Sequence, residues 1–320
     1  MSLSYYAWII GICLIFSLIV WILRKKKNSY GLGEGPVTVL ELQKDDKLRN
    51  TYSNFKEILF DTLSVKYEHI EVIASGGMGI IVSAYDKVHD RKVAIKTISP
   101  KLHQDPKAIK FFFQECQAIQ KMNHPNIIRI YESANEGFLY YTMEYLQGEN
   151  LEKLMQRSGI IAIDQIVRIG TQVARALQHC HSNGIVHRDI KPSNIFITEK
   201  NVCKIIDFGV VKLLNSETKE TSAIGSPNYA SPEQLQGGHI TGKSDIYALG
   251  VCLFKMASTQ FPYSVSDLVS KVFEAPKDIK QINPNLSNEL IEIIYDCIKL
   301  DPHDRCDVTT LWSRLRRVTV

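Results

Sequence analysis

The sequence predicts an α+β chain headed by one membrane-spanning helix, and three observations predict it. Residues 5–23 contain no charged side chain and are dominated by Ile, Leu, Val, Trp and Phe. From residue 67 to about residue 146, short runs alternate polar and apolar positions as half-buried strands do, and one helical stretch interrupts them. From about residue 147 onward, apolar residues return at helical spacing.

At about 1.5 Å per helical residue, the uncharged run is long enough for a hydrocarbon core of about 30 Å. Tyr5, Tyr6, Trp8 and Trp21 lie near its ends, where interfacial aromatics belong, and Arg24, Lys25, Lys26 and Lys27 follow at once. By the positive-inside rule, this basic run keeps the following residues in the cytoplasm. A cleaved signal peptide would carry positive charge before the apolar run and a small-residue cleavage site after it, and the sequence has neither. Ala7 and Gly11 have small-residue spacing, a weak pointer to a homodimer in the membrane. Residues 1–27 are thus read as an anchor with a basic flank, and residues 28–66 as a juxtamembrane linker. Gly31, Gly33, Gly35 and Pro36 loosen the start of that linker, and a short helix is expected over residues 52–63.

With 320 residues, 45% hydrophobic and 22% charged, the chain is ordinary globular material with length enough for two lobes. A net charge of +4, part of it in residues 24–27, gives no case for nucleic acid as a partner. The seven cysteines are scattered, odd in number and without a CxxC pair, so they read as reduced, mostly buried thiols rather than a disulfide frame or a zinc site.

The first strand, Tyr67-Glu68-His69-Ile70-Glu71-Val72-Ile73, runs into Ala74-Ser75-Gly76-Gly77-Met78-Gly79-Ile80-Ile81-Val82. A glycine-rich turn between strands lets backbone amides approach phosphate oxygens; it is also what a plain hairpin looks like. Val93-Ala94-Ile95-Lys96 is the next strand, ending on a lysine. Residues 105–122 place Ile109, Phe112, Phe113, Cys116 and Ile119 on overlapping helical faces, with Glu115 among them. Strands follow through Ile130 and over residues 139–144, ending at a turn near Gly148. Over residues 164–183, Ile166, Ile169, Val173, Ala176, Leu177 and Cys180 share one helical face, and Asn183-Gly184 ends the helix. His179 and His181 are two apart and face different ways, so packing and surface roles suit them better than a metal.

The stretch His187-Arg188-Asp189-Ile190-Lys191-Pro192-Ser193-Asn194-Ile195 places a carboxylate, an ammonium and a carboxamide within six residues. That spacing suits phosphoryl transfer, where the protein mainly positions groups and neutralises charge. Asp189 can accept a hydroxyl proton, Lys191 can sit beside the moving phosphoryl, and Asn194 can hold a metal ion. Eighteen residues after Asp189, at the end of an apolar run, Asp207-Phe208-Gly209 offers a second hard oxygen ligand.

Residues 187–195 match the catalytic loop of the eukaryotic-type protein kinases, and the chain from residue 67 to about 316 resembles that family with its motifs in order. The Gly-Gly-Met-Gly loop and Ser231-Pro232-Glu233-Gln234 resemble the bacterial serine/threonine branch. The resemblance implies a bilobal fold: a small β-rich lobe with one helix and the hinge (residues 67–146), and a larger, mainly helical lobe (residues 147–320). ATP and Mg²⁺, with Mn²⁺ as an alternative metal, would lie between them.

Ile73, Ala74, Ser75, Gly76, Gly77, Met78, Gly79, Ile81 and Ala94 would then line the nucleotide, with Met143 behind the adenine and Glu144 to Leu146 as hinge. Lys96 would grip the phosphates, held by Glu115, while Asn194 and Asp207 would bind the metal. Ala74 stands where the family has its first glycine, which adds a methyl near the nucleotide. Residues 210–230 resemble an activation segment in which Thr218, Thr221 and Ser222 are candidate phosphorylation sites and Ser226 bridges Asp189 and Lys191. Asp245 resembles the residue that fastens the catalytic loop, and Arg305 the partner of Glu233. The sequence stops soon after, so no sensor domain is expected to follow. Two readings stay open here. One is a membrane-anchored serine/threonine kinase acting on proteins, itself included; the other is a catalytically silent ATP-binding scaffold, supported by Ala74 alone.

Overall fold

A computed structural model describes residues 46–319, apart from residues 77–78, 99–105, 209–226, 265 and 267–274. The expected membrane span, its basic flank, Gly77, Met78, Thr218, Thr221, Ser222 and Ser226 lie outside the described residues. Among the described residues, no helix is long and apolar enough to cross a membrane.

Polar–apolar alternation builds the small lobe. Strands β1 (Tyr67–Gly76), β2 (Gly79–Asp86), β3 (Arg91–Thr97), β4 (Ile130–Asn135) and β5 (Leu139–Glu144) form one antiparallel sheet in the order β1-β2-β3-β5-β4. Because side chains alternate along a strand, Ala94 and Lys96 share one face of β3, and Val93 and Ile95 share the other. Val93 and Ile95 join Val82, Ala84, Phe138 and Tyr140 in a small core of their own.

That second core overturns part of the linker expectation. Helix α1 (Asp46–Ser64) has 19 residues, longer than the expected helix at 52–63, and its Leu59 and Leu63 are fully buried in the small core. Phe55 meets the Phe138 ring edge-on at 5.8 Å. Phe55, Leu59 and Leu63 recur every four residues, so they form one stripe that needs a partner surface. The alternate residues of the strands supply it. The small lobe therefore carries two helices, α1 and α2 (Pro106–Gln120). From α2, Phe112, Cys116 and Ile119 pack into the main core with Leu139 and Tyr141.

Beyond the sheet come β6 (Gly148–Asn150), α3 (Leu151–Ser158) and α4 (Ile163–Ser182), then β7 (Ile195–Thr198) and β8 (Cys203–Ile205). The helices α5 (Pro232–Leu235), α6 (Gly242–Ser258), α7 (Ile279–Ile282), α8 (Asn288–Cys297) and α9 (Val308–Leu315) complete the large lobe. As its apolar run predicts, α6 is the pillar: every residue from Ser244 to Phe254 is buried. Gly250 allows the close crossing with α8, since a Cβ there would stand 2.5 Å from the Cys297 Cβ.

Candidate active site

The catalytic-loop residues are brought together by the pillar and the small sheet. Asp245, in the first turn of α6, is 1% exposed and accepts from the backbone nitrogens of His187 at 2.9 Å and Arg188 at 2.8 Å. His181 Nε2 bonds the same carboxylate at 2.9 Å. Gln234 Nε2 donates to the Arg188 carbonyl at 2.9 Å. Arg188 is thereby held at φ 66°, a left-handed conformation that costs a non-glycine residue energy and persists only where surroundings fix it.

Past that turn the side chains converge. Asn194 Nδ2 donates to the Asp189 carbonyl at 2.9 Å and to Asp189 Oδ2 at 3.1 Å, and Lys191 Nζ lies 3.0 Å from the same oxygen. β7 and β8 pair Ile195 with Ile205, and Ile206 N donates to the Asn194 carbonyl at 2.9 Å, so Asn194 and Asp207 leave the sheet side by side. His187 braces both ends. Its Nδ1 accepts from Asp189 N at 3.2 Å while its Nε2 faces the Ile206 carbonyl at 3.3 Å, and its ring packs 4.6 Å from Phe208. One acceptor and one donor role require the neutral ring, and burial holds the imidazole below the ordinary histidine range.

The small lobe contributes one row of residues. The registers pair Ala74 with Ile81, Ile81 with Lys96, and Lys96 with Tyr141; the next same-face step pairs Ala94 with Met143. Ile73 is the extra residue where β1 slips register, and it is half exposed. Ser75 and Gly76 lie opposite Ile80 and Gly79, so β1 and β2 stay paired up to Gly76 and Gly79. Gly79 (φ 135°) has a packing reason of its own, because a Cβ there would come within 2.0 Å of the Thr97 carbonyl. Met143 and Leu146 pack partly against the main core. The Glu144 side chain accepts from Arg129 N at 2.8 Å and pairs with Lys204 at 2.7 Å, which ties the end of β5 to β8 in the large lobe.

One expected contact differs. Lys96 Nζ pairs with Asp207 rather than with Glu115. A buried ammonium takes the carboxylate within its reach, and the side-by-side exit of Asn194 and Asp207 brings Asp207 to it. Glu115 instead lines a cavity with Ile119, Arg188 and Phe208. Burial pushes its carboxyl up to about 7, with the Arg188 charge opposing part of the rise. Asn194 has committed its amide nitrogen to Asp189, which leaves its amide oxygen as an acceptor, and the partly exposed Asp207 carboxylate follows Ile206, whose N–H donates to the Asn194 carbonyl. Two hard oxygens suit Mg²⁺, which keeps several waters or phosphate oxygens for itself.

Below the site, Glu233 and Arg305 form the expected bidentate pair at 2.8 and 2.9 Å, and Arg305 also donates to the carbonyls of Lys243, Lys299 and Leu300. Sequence reasoning missed His181, His187, Gln234 and Thr97 as supports. His187 stood within the motif, but the other three become partners only through chain separations that spacing does not reveal.

Residues 67–314 match the family model described as the protein kinase domain. The chain belongs to the protein kinase family. Its kinase domain is 37% identical over 251 residues to the serine/threonine-protein kinase PrkC of Bacillus subtilis, covering 76% of this chain and 39% of that protein. It is 35% identical over 250 residues to a probable serine/threonine-protein kinase of Clostridium acetobutylicum, covering 76% of this chain and 38% of that one. The chain thus spans about two fifths of the length of these relatives. The crystal structure of the Mycobacterium tuberculosis PknI kinase domain superposes with a TM-score of 0.64 at 21% identity, over 78% of this chain and 95% of that one. That likeness shows the bilobal fold, and the sequence relatives place the kinase domain on the bacterial serine/threonine branch.

Proposed function

We propose that the chain is a membrane-anchored serine/threonine kinase that transfers the γ-phosphoryl of ATP to Ser or Thr hydroxyls of proteins, itself included. The observation that carries this is Asp189 held between Lys191 and Asn194 with Asp207 one strand away. Asp189 orients the acceptor hydroxyl and takes its proton, while Lys191 offsets charge on the transferring group. Asn194 and Asp207 hold Mg²⁺ or Mn²⁺, which supplies neutralisation of phosphate charge when bound. Lys96 would grip the nucleotide phosphates, and Glu115 would be the second carboxylate available to its ammonium. Residues 73–79, Ile81, Ala94, Met143, Glu144 and Leu146 line the nucleotide site.

The scaffold alternative rested on Ala74, which is an exposed strand residue paired with Ile81 in a hairpin that closes around it. The uncharged residues 5–23 and the basic run after them support a single-pass anchor with the kinase inside, where a second copy is a candidate partner. Phosphorylation of Thr218, Thr221 or Ser222 would give Arg188 a bidentate anion, since its buried Nε has no hydrogen-bond partner among the described residues. Ser226 would bridge Asp189 and Lys191.

Phosphate transfer to a generic basic protein, with and without Asp189→Asn, tests the assignment. A loss of roughly a hundredfold or more is expected from removing the base. ATP binding without transfer in the unaltered protein would overturn it in favour of the scaffold.

A further inference from the structure

A cavity of about 220 Å³ lies beside the catalytic loop, lined by Pro192, Tyr229, Lys255, Glu152, Met155 and Thr259 among others. Pro192 opens the one-turn helix that carries Asn194, three residues from Asp189. At about 3.3 Å per extended residue, the cavity stands within roughly 10 Å of chain from the proposed base. A substrate strand with its hydroxyl at Asp189 would bring a side chain two or three residues away to this cavity.

The cavity holds one cation in a fixed place. Lys255 rises from the central helix α6 near its end, half-buried. Its Nζ donates to the Tyr229 hydroxyl at 3.0 Å and sits 4.3 Å above the centre of the Phe261 ring. Tyr229 and Phe261 meet edge-on at 5.3 Å, so the rings hold the lysine stem as a bracket. No carboxylate among the described residues lies within ion-pair distance of Lys255. The Glu152 carboxylate also lines the cavity, but that residue is exposed on α3, where water screens its charge and lets it turn away. The fixed, partly desolvated charge dominates recognition, and it is positive.

We infer that this cavity is the subsite reading an acidic side chain, Asp or Glu, placed two or three residues from the acceptor hydroxyl, with Lys255 as the specificity-determining residue. The inference rests on the kinase reading above. A carboxylate entering the cavity gains a charge-assisted hydrogen bond from Nζ without stripping Lys255 of an existing ion partner. A basic side chain would meet an ammonium locked against two rings, and a site that rejects as well as attracts discriminates better.

The test is a steady-state assay of the full chain with one serine peptide in three forms, carrying Glu, Gln or Arg two and three residues from the serine on either side. The Glu peptide is expected to exceed the Arg peptide in kcat/KM by roughly tenfold, chiefly through KM. Lys255→Glu should reverse the order, Lys255→Arg should keep it, and Glu152→Gln should widen it. Equal use of the three peptides by the unaltered protein, or an order unchanged in Lys255→Glu, overturns the inference while leaving the kinase reading intact. Transfer to no peptide and not to the protein itself overturns the kinase reading instead. If Lys255→Glu does not fold, the peptide order in the unaltered protein and in Glu152→Gln decides the matter.

Discussion

Replacing Leu59 by Ala should destabilise the kinase domain although residue 59 lies outside the residues that match the family model. Leu59 is 0% exposed in the core between α1 and the sheet, whereas its helical neighbour Ile58 is 55% exposed. Truncating a fully buried leucine removes its transfer energy and leaves a cavity, together about 2–5 kcal/mol. For a domain of this size, each kcal/mol moves the melting temperature by about 2–4 °C, so a drop of roughly 4–20 °C is expected. Ile58→Ala should stay within about 0.5 kcal/mol, because it loses little contact on folding. The comparison is a thermal or urea melt of the fragment 46–320 carrying each substitution. If Leu59→Ala melts with Ile58→Ala, α1 is a detachable linker and its packing contributes nothing. A fragment starting at residue 67 should melt lower still, since it exposes the face that Leu59 and Leu63 cover.

The remaining expectations concern charge at the site. The Glu115 carboxyl is raised to about 7 from 4.5 by burial, so the folded state holds that proton more tightly than the unfolded chain does. Its stability contribution is complete below about pH 4.5 and is lost as pH rises towards 7. Glu115→Gln should therefore raise the urea midpoint relative to the unaltered protein at pH 8 and not at pH 4.5, and parallel pH profiles would refute this. Asp245→Asn keeps the shape but loses the charge that accepts from His187, Arg188 and His181. It should cost about 2–4 kcal/mol and lower kcat more than nucleotide affinity, read from turnover and ATP titration together.

The site was legible in the sequence wherever chemistry and order sit in one short stretch. Asp189, Lys191 and Asn194 need only each other and a turn, so their six-residue spacing announced them. The strand pairing of Lys96 was visible as a lysine ending an apolar run, but its ionic partner was not. Whether Asp207 or Glu115 reaches it depends on where α2 lies, which helical periodicity cannot give. Periodicity showed that residues 52–63 could be helical but not that Phe55, Leu59 and Leu63 had a partner, because that surface comes from alternate residues of several strands. Gly79 showed the opposite limit. Its glycine was read for what it admits to the nucleotide, while the structure adds the Thr97 carbonyl that no side chain could clear.

The hydrogen bonds from His187 and Arg188 to Asp245 cross 58 and 57 residues, and the Glu233–Arg305 pair crosses 72. Such contacts are late events, because the loop they close must be ordered before they return any energy. On a ribosome the catalytic loop is made well before the carboxylate that shapes it, and Glu233 well before its guanidinium. A chain still in synthesis therefore has Asp189 but not the geometry around it. The competent site forms only as the end of the domain emerges, so an interrupted translation product would carry the motif and remain inert.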